Sequence, residues 1–589
     1  MSDWDATYDG VAAANGGLDL EMPSGKFMNR ASLLPAVKAG KVSEGTIDDK
    51  VRRILRTAIR FGWLDRDQTA LSVPLYNEKG GRVALEAARS GMVLLKNDSK
   101  LLPLDKTKIK SIAVIGPDAY PAPVVGGGSA GVRPFGAASY LEGLSGYLDS
   151  ATVYYDRGIP SLWELADATA FSTDAAGKEP GISPEVFNNP NLTSPPTAHR
   201  TDQHTNADHG LGDGVNQNEV SARWSGYFTP STPGEHLLFV QGPGEGGGYR
   251  LYVDDTLLVD TWELSRSLVS QARFATDCPP VQDSLRVLRP LELGGPSVRL
   301  GIVSPEAAVN AAAKALASKA DAVVLAVGFD PDSESEGADR TFQLPPAQDE
   351  LIQQIAAVNK NTIVVVTSGG AVDMNAWLDR VPALFESWYA GQAQGTALAQ
   401  LLFGEHSPSG KLPVTFERRW EDNPAHDNYY PAAGDKKTVY KEGVFIGYRH
   451  FDKAGLKPQF PFGYGLSYTT FAYKNLSVTP ASVSGDQPVS VSFDVTNTGS
   501  REGAEIAEVY VREPHASIAR PAKELKGFAK VPLKPGETKH VSVDLNRRAF
   551  SYYDAKIHRW AADAADFEVL VGRSSAQIEL TGKVTRQNP

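Results

Sequence analysis

Two short acidic stretches of the sequence carry residues that could do nucleophilic or acid–base chemistry. SDW occupies residues 2–4, and DPDSESEGADR occupies residues 330–340, directly after the apolar run AVVLAVGF. Ligands of α/β sheets bind beyond the carboxyl ends of the strands, so a strand that ends in a long acidic loop predicts a site there. An acidic loop is more often a solvated surface segment, and the residues alone leave that alternative open.

A pair of carboxylates has a defined task in sugar chemistry. In a retaining glycosidase one carboxylate is the nucleophile and the other is the general acid/base, with the two about 5–5.5 Å apart. The nucleophile has to stay ionised, whereas the acid has to be protonated when substrate binds, which requires a raised pKa. The tryptophan of SDW fits this chemistry, because sugars present apolar C–H faces that pack on aromatic rings.

Other kinds of site are disfavoured by the spacing of the residues. The glycine-rich stretches at 126–132 and 242–249 lack the G-x-G-x-x-G spacing before a helix, so they are predicted to be turns. His204 and His209 lie in a polar loop without thiolates or an H-E-x-x-H motif, and no G-x-S-x-G motif is present. The sequence therefore predicts no metal, no organic cofactor and no serine nucleophile.

The composition is that of a globular protein with several domains. The 589 residues are 41% hydrophobic and 22% charged, with a net charge of -11 and no basic tract. This length predicts about three or four domains, and the acidic balance argues against a nucleic-acid partner. Cys278 is the only cysteine, which excludes an intrachain disulfide, and no apolar run is long enough to span a membrane.

The elements that would position the acidic stretches alternate between helices and strands. SEGTIDDKVRRIL predicts a helix capped by Ser43 or Thr46, with one apolar stripe formed by Val51, Ile54, Leu55, Ala58 and Ile59. Buried strands are predicted in SIAVIGPDA, KADAVVLAVGFD, KNTIVVVTSGG and PALFESWYAG, and helices at 305–318 and 346–358 are predicted before the second and third of these. This alternation predicts a parallel sheet covered on both faces.

Two regions have a β pattern instead. Short strands such as ARWSGYFTP and YRLYVDDTLLVD between about 182 and 300 predict an all-β domain inserted into the α/β domain, with a hairpin turn at VDD. After FPFGYGLSY the alternating segments VSVSFDVTNTG, AEVYVRE, KHVSVDL and FEVLVG predict a small immunoglobulin-like sandwich.

These segments resemble glycoside hydrolase family 3, the β-glucosidase type with a PA14 insertion. MSDW and GGLDLEMP resemble the segment around the nucleophile of that family, and EGADRTFQLP resembles its acid/base loop. ARWSGYFTP and YRLYVDDTLLVDTW resemble PA14 strands, and FIGYRHFD and FPFGYGLSYTTF resemble the entry to a fibronectin-like domain. The resemblance covers nearly the whole chain.

The resemblance implies a multidomain fold. Its parts are a remnant of a (β/α)8-type barrel at 1–65, a linker at 66–82, an α/β sandwich domain at 83–181 and 301–460, a PA14-like β domain at 182–300, and a fibronectin III-like β-sandwich at 467–589. Such a barrel needs about 250 residues. We therefore expect that Met1 is an internal methionine and that most of the barrel is absent from this chain.

The resemblance also assigns roles to individual residues. Asp3 is expected to be the nucleophile, Glu336 the general acid/base, and Trp4 a residue that lines the sugar site. Glu334 is the rival acid two positions upstream, and Glu336 is preferred because the match to the EG-x-DR motif runs through it.

Further expectations concern three of the residues that follow Glu336 in the motif. Asp339 and Arg340 are expected to fix the shape of the loop rather than to touch sugar. Ala338 stands where members of the family usually have an aromatic residue, so the packing of the loop is expected to differ here.

The activity that the resemblance implies is that of a retaining exo-β-glucosidase acting on oligosaccharides or glycosides. The alternatives are a β-xylosidase or arabinosidase of the same family, and an inactive carbohydrate-binding fragment or one subunit of a split enzyme. The expected partners are the sugar substrate and either further copies of this chain or a separate polypeptide that carries the barrel, with no membrane partner. The first 20 residues are acidic and show no signal peptide, and the sequence leaves the localisation open.

Overall fold

The computed structural model describes most of the chain. The described residues are 1–68, 77–189, 191–193, 195–199, 201–205, 221–242, 248–261, 269–276, 281–288, 298–337, 339–431 and 437–587. They form two compact units, Met1–Asn77 and Glu78–Pro589. None of the helices in these ranges is both long and apolar enough to cross a membrane.

The first unit contains three helices among its described residues: α1 Gly10–Asn15, α2 Arg30–Lys38 and α3 Glu44–Arg60. Each helix begins after a side chain that accepts hydrogen bonds from its first turn, and these capping residues are Asp9, Asn29 and Ser43. The helices share a small core made of Ala14, Ala36 and Val42.

The helix predicted after Ser43 is confirmed, and Ser43 rather than Thr46 is its cap. The apolar stripe of α3 lies outside the small core of this unit, since Val51 and Ile59 are 48% and 60% exposed. Around SDW the described strand pairing is a single bridge between Trp4 and Met22. The barrel remnant therefore stays a prediction.

The second unit contains the remaining elements. Its helices are α4 Glu78–Gly91, α5 Tyr140–Tyr147, α6 Leu162–Ala168, α7 Ala311–Lys319, α8 Gln348–Val358, α9 Gln394–Leu402 and α10 Tyr448–Ala454. Its first strands are β1 Val93–Asn97, β2 Ser111–Ile115, β3 Thr152–Asp156, β4 Phe171–Ser172, β5 Ser183–Phe187, β6 Ala198–His199, β7 Ser221–Phe228, β8 Gly234–Gln241 and β9 Tyr249–Val253.

Further strands follow: β10 Thr256–Asp260, β11 Val269–Thr276, β12 Val281–Leu288, β13 Arg299–Val303, β14 Ala322–Gly328, β15 Thr362–Thr367, β16 Ala383–Glu386, β17 Phe471–Thr479 and β18 Ser482–Val483. The last are β19 Val489–Asn497, β20 Gly503–Arg512, β21 Glu524–Leu533, β22 Thr538–Leu545, β23 Tyr552–Asp554, β24 Arg559–Ala561, β25 Asp566–Ser574 and β26 Gln577–Arg586.

A six-stranded sheet with the order β1-β16-β15-β14-β2-β3 forms the centre of the α/β domain. Both of its faces are covered, as predicted: Val323, Leu325 and Val327 of β14 pack in one core, and Ala322, Val324 and Ala326 pack in the other. The four strands predicted for this sheet, β2, β14, β15 and β16, are parallel as expected. The sheet departs from the parallel pattern at one edge, where β1 pairs antiparallel with β16. No βα crossover joins these two strands, so the apolar pattern does not fix their relative direction.

The strands between β4 and β13 form the predicted all-β region. They make a seven-stranded sheet and a three-stranded sheet with the order β11-β8-β13. The predicted hairpin is present, with Asp254 and Asp255 at φ 47° and 62° between β9 and β10. Strand β8 joins two cores, since Leu238 and Val240 pack in the β core while Leu237 and Phe239 pack in the α/β core. The inserted region is thereby packed directly on the α/β domain.

The C-terminal strands form the predicted sandwich. One sheet has the order β17-β19-β22, and the other has the order β18-β26-β25-β20-β21. Alternate residues of β19, from Val489 to Asn497, are buried, which is the pattern of a strand with one face toward a core.

Candidate active site

The loop between β14 and α8 carries the predicted acid/base residue. Every residue of β14 is buried, and the strand lies between β2 and β15, so its carboxyl end is fixed in position. The two ends of the loop are joined by the side-chain amide of Gln348. This amide accepts from the Gly328 N–H at 2.7 Å and donates to the Gly328 carbonyl at 2.9 Å.

The first turn of the loop is organised by Asp330. Its Oδ1 accepts hydrogen bonds from the Ser333 hydroxyl at 2.7 Å and from the Asp332 N–H at 3.1 Å. These local bonds satisfy backbone and side-chain donors near the strand end and set the direction in which the chain continues.

Glu334, the rival acid, is held by three donors. Its carboxylate accepts from Arg340 Nε at 2.8 Å, from the Gly369 N–H at 2.9 Å and from the Tyr389 hydroxyl at 2.6 Å. The side chain of Glu334 is 20% exposed and that of Arg340 is 16% exposed. Burial raises the pKa of Tyr389, and the nearby Glu334 raises it further, so this hydroxyl remains a donor. Glu334 is therefore held by three contacts and anchors the loop.

Arg340 uses its other donors on the backbone. Its guanidinium donates to the carbonyls of Ala371 at 2.8 Å and Thr341 at 3.0 Å, and it lies over the ring of Phe329, 4.7 Å from the centroid. These contacts agree with the prediction that Arg340 shapes the loop.

Glu336 lies in different surroundings. The residue is exposed, and its Oε2 accepts a hydrogen bond from the Ser129 N–H at 2.6 Å. The backbone N–H of Glu336 donates to the Gly127 carbonyl at 3.3 Å, while the Gly127 N–H donates to the Glu334 carbonyl at 2.8 Å. The glycine-rich segment 126–132 thus runs beside the loop and supports it.

The local hydrogen bonds favour the charged form of Glu336. The Ser129 hydroxyl and then the Ser129 backbone N–H lower the pKa of Glu336 below its ordinary value. Donors that point at a carboxylate stabilise the anion. This direction differs from the raised pKa that the sequence analysis requires of a general acid, and binding of substrate would have to change it.

Two glycines give the two glutamates room. A Cβ at Gly128 would lie 2.5 Å from the Cβ of Glu336, and Gly128 has φ +80°. A Cβ at Gly369 would lie 2.6 Å from Oε1 of Glu334. Each position therefore requires the absence of a side chain.

Asp339 is held at the far side of the loop. It accepts hydrogen bonds from the Tyr429 hydroxyl at 3.0 Å and from the Tyr430 hydroxyl. The two rings are 4.9 Å apart and nearly perpendicular, at 86°. The predicted departure at Ala338 lies outside the described residues.

The predicted nucleophile belongs to the first unit. Asp3 and Trp4 are both exposed, Trp4 at 68%, and the Trp4 N–H donates to Asp3 Oδ1 at 2.7 Å. The segment is held by backbone bonds from Ser2 to Leu20 and from Asp5 to Met22, at 2.9 and 3.2 Å. Asp3 and Trp4 are thus neighbours within one unit, while Glu336 belongs to the other.

Within the described ranges, no group of three or more His, Cys, Asp or Glu side chains could hold a metal ion. His204 lies with its Nδ1 at 3.5 Å from the Thr169 carbonyl, and His209 and Cys278 fall outside those ranges.

The supporting residues of the loop were missed by the sequence analysis. Ser129 and Gly128 belong to the stretch 126–132, which was interpreted as a turn, and Gly128 does have a positive φ. A glycine run can indicate close approach of two backbones, but nothing in the sequence pairs it with residue 336. Tyr429 and Tyr430 carry no local signal for a contact with Asp339.

Comparison with known proteins gives a consistent result. Residues 92–448 match the Glycosyl hydrolase family 3 C-terminal domain, and residues 505–575 match the Fibronectin type III-like domain. The chain is 35% identical to the probable β-glucosidase I of Aspergillus terreus, over 98% of this chain and 72% of that protein. It is 33% identical to the β-glucosidase B of Emericella nidulans, over 99% and 72% of the two proteins.

Solved structures show the same likeness. The β-glucosidase DesR from Streptomyces venezuelae, in complex with D-glucose, has a TM-score of 0.72 and 31% identity, over 99% of this chain and 71% of that chain. The β-glucosidase from Kluyveromyces marxianus, in complex with glucose, has a TM-score of 0.70 and 29% identity, over 100% and 73%. The fold and these relatives define the chain as a glycoside hydrolase. It belongs to glycosyl hydrolase family 3. The match at 505–575 confirms the fibronectin III-like sandwich, and the PA14 assignment stays a prediction.

Proposed function

We propose that the protein is a retaining exo-β-glucosidase. It removes terminal non-reducing β-D-glucosyl residues from oligosaccharides or glycosides through a covalent glycosyl intermediate on Asp3. Glu336 is the general acid/base, and Trp4 packs against the apolar face of the sugar. The membership of family 3 and the β-glucosidase names of the relatives support this activity.

The observation that carries the assignment of the acid is the contrast between two glutamates of one loop. Glu334 accepts hydrogen bonds from Arg340, Gly369 and Tyr389, and the first of these is also an ion pair, so three donors already occupy its carboxylate. Glu336 is exposed and accepts its described hydrogen bond from Ser129 alone. A residue that exchanges protons with substrate and water has to be accessible, which favours Glu336.

In the first step a carboxylate oxygen of Asp3 attacks the anomeric carbon. The bond from that carbon to the leaving-group oxygen breaks, and Glu336 gives its proton to this oxygen. In the second step the Glu336 carboxylate takes a proton from water. The water oxygen attacks the anomeric carbon, and the Asp3 carboxylate and glucose are released.

The lowered pKa of Glu336 applies to the protein without a bound sugar. A sugar that covers Glu336 removes water from its carboxylate, and loss of solvation raises the pKa of an acid. Loss of the contact with Ser129 acts in the same direction, because that contact favours the anion. Substrate binding therefore converts Glu336 into a better proton donor.

The role of Asp3 is tested by trapping the intermediate. The protein is incubated with an activated 2-deoxy-2-fluoro-β-glucoside, digested, and the labelled peptide is sequenced by mass spectrometry. The proposal expects one sugar on Asp3 and no label in an Asp3→Asn variant. A label on any other carboxylate would remove Asp3 from the mechanism.

The role of Glu336 is tested by chemical rescue. Glu336→Ala is expected to lower kcat on a substrate with a poor leaving group by at least about 100-fold. Azide should restore turnover of an activated aryl glucoside and yield the β-glucosyl azide. It attacks the anomeric carbon in place of water and releases the Asp3 carboxylate, and as an anion it needs no general base in this second step. Glu334→Ala is the matched control, and azide rescue of that variant instead of Glu336→Ala would reverse the assignment.

A further inference from the structure

A cavity of about 260 Å³ lies at the carboxyl ends of β2, β3 and β14, where the inserted β region meets the α/β sheet. The chain passes from β2 outward to β3 and then returns to β14 on the other side of β2, so the strand order reverses between β2 and β14. Ligands of doubly wound sheets bind outside the carboxyl ends of the strands at such a reversal. We call this space the junction cavity and define it by Asp118, Arg157, Trp163, Asp330 and Ser333, which line it.

The turns that form the junction cavity are held by the ends of the strands. The Gly116 N–H donates to the Asp156 carbonyl at 3.2 Å, which joins the end of β2 to the end of β3. The side chain of Asp156 accepts from the Gly158 N–H at 2.7 Å and closes the turn after β3. The residues that follow these two strands, Asp118 and Arg157, therefore sit on backbone that is fixed by the sheet.

The floor of the junction cavity holds a buried carboxyl group. Asp118 is 4% exposed, and its Oδ2 makes no hydrogen bond to any described residue. Burial raises the pKa of Asp118 well above its usual range, and the charge of Asp330 raises it further. A buried polar atom without a partner costs free energy. A ligand that forms a hydrogen bond with this oxygen would remove that cost.

The rim of the junction cavity carries an arginine and a tryptophan. Arg157 and Trp163 are both exposed, Trp163 at 51%. A guanidinium group offers N–H donors to the oxygens of a ligand, and the indole ring offers an apolar surface on which C–H groups can pack. A ligand in this cavity therefore meets donors and apolar surface at the rim and a carboxyl group at the floor.

The charges that line the junction cavity are balanced. They come from Arg157 and Arg299 on one side and from Asp118, Asp330 and Asp332 on the other. With Asp118 in its neutral form, two positive and two negative groups remain, so neither an anion nor a cation is favoured. A hydroxyl group both donates and accepts, and it can pair with a carboxyl group in either form and with a guanidinium group. The ligand chemistry that fits is neutral and polyhydroxylated.

The volume of the junction cavity limits the size of the ligand. It is about nine times the ~30 Å³ that one water molecule occupies in the liquid. It lies just below the range of about 300–1,000 Å³ that sites for drug-sized molecules occupy. One sugar ring is therefore the appropriate size, and an oligosaccharide is too large.

We propose that the junction cavity is a second, non-catalytic site that binds a neutral polyhydroxylated molecule of the size of one monosaccharide. Neither Asp3 nor Glu336 is among the described residues that line it. The inference therefore goes beyond the proposed function and does not depend on it. Asp118 supplies the hydrogen bond at the floor, and Arg157 and Trp163 hold the exposed side of the molecule.

Binding is located by hydrogen exchange of the whole chain, measured over a titration with D-glucose. Glucose should slow the exchange of amides in residues 157–165. Trp163→Ala should raise the glucose concentration for half-maximal protection there about tenfold, because it removes an aromatic face. Trp560→Ala is the matched control, since Trp560 is 42% exposed and lies on β24, outside the cavity. Its titration should match that of the parent protein. No protection in the parent, or equal titrations for all three proteins, would overturn the inference.

Two further variants test the floor and the rim separately. Asp118→Leu replaces the carboxyl group by an apolar side chain, so it should fold and lose the protection by glucose. Arg157→Ala changes an exposed side chain, so the fold should be retained while the half-maximal glucose concentration rises about tenfold. An unchanged titration in Arg157→Ala would count against the inference even if Asp118→Leu does not fold.

The class of ligand is tested in the same way with two charged probes. Inorganic phosphate represents anions, and glycine represents molecules that carry both charges. Neither should slow the exchange of residues 157–165. Protection by phosphate or by glycine, without protection by glucose, would overturn the neutral polyhydroxylated class.

Kinetics distinguish this inference from the proposed function. Trp163→Ala should hydrolyse an aryl β-glucoside with the kcat/KM of the parent protein, because the junction cavity is not the catalytic site. Loss of hydrolysis together with loss of protection would place the cavity in the substrate site and overturn the inference. Protection by glucose that depends on Trp163, in a parent protein that hydrolyses no glucoside, would support the cavity and reject the β-glucosidase assignment.

Discussion

The loop after β14 has two regions with different surroundings, its base and its tip. Glu334 lies at the base, and Glu336 lies at the tip. Glu334 at the base is mostly buried and accepts from Arg340, Gly369 and Tyr389. Glu336 at the tip is exposed, with Ser129 beside it. Both residues are the same amino acid and stand two positions apart, so the surroundings alone separate them.

The difference shows how a loop can be held by several contacts and still present an accessible carboxylate. The base of the loop is fixed by hydrogen-bond donors from Gly369 and Tyr389. Both residues follow strands of the buried sheet, which holds them in place. The tip is supported through backbone contacts with Gly127 and Ser129 while the carboxylate stays accessible. Under the proposed function, positioning is assigned to Glu334 and chemistry to Glu336.

Removal of the Glu334 side chain, at the base of the loop, is expected to have the largest effect. Glu334→Ala leaves Arg340 without its carboxylate and removes the acceptor of two further donors, so it should lower the free energy of unfolding by about 2–3 kcal/mol, less than the cost for a fully buried pair. Denaturant unfolding measures the loss, and hydrogen exchange should locate it in the amides of β14 and β15. The matched variant Glu336→Ala should unfold like the parent protein. Equal destabilisation by both changes would contradict the division of roles.

The next effect concerns the space beside the tip. Gly128→Ala places a Cβ 2.5 Å from the Cβ of Glu336 in a residue with φ +80°, so the tip has to move. A displacement of about 1 Å can cost about 100-fold in rate, and we expect kcat/KM to fall about 10- to 100-fold. Gly136→Ala is the control, because a Cβ there meets no atom within 4 Å. Similar activities of the two variants would show that the position of Glu336 does not depend on Gly128.

Most of the fold could be predicted because its signals are local. The continuous apolar runs of β14 and β15 and the Asp254–Asp255 turn each depend on a few adjacent residues. The direction of β1 could not be predicted, since pairing with β16 joins segments almost 300 residues apart. The apolar stripe of α3 predicted the helix but not the surface that it contacts.

Less of the candidate site could be predicted, because its contacts join distant segments. The acidic loop after β14 was located from the position of the strand end. The motif favoured Glu336 over Glu334, but the physical difference between them comes from Ser129, Gly369 and Tyr389. None of these three contacts has a spacing that a sequence pattern could reveal.

The tyrosines that hold Asp339 should have a smaller effect. Tyr429→Phe combined with Tyr430→Phe keeps both rings and removes both hydroxyls that donate to Asp339. Loss of an exposed hydrogen bond costs about 1 kcal/mol, so kcat/KM should fall about fivefold through looser positioning of the tip. Hydrogen exchange of residues 339–343 should rise in the same variant. Faster exchange without any change in kcat/KM would separate this side of the loop from catalysis.

The smallest effect is a shift along the pH axis. The Ser129 hydroxyl is the largest contribution that lowers the pKa of Glu336, and the Ser129 N–H follows it. Ser129→Ala removes the hydroxyl and keeps the N–H, so the pKa of Glu336 should rise. Because the general acid has to be protonated, its deprotonation sets the alkaline limb of kcat/KM, and this limb should move to higher pH. Ser333→Ala, in the same loop but bonded to Asp330, should leave the limb in place. A shift to lower pH in Ser129→Ala would mean that another group, and not the tip glutamate, donates the proton.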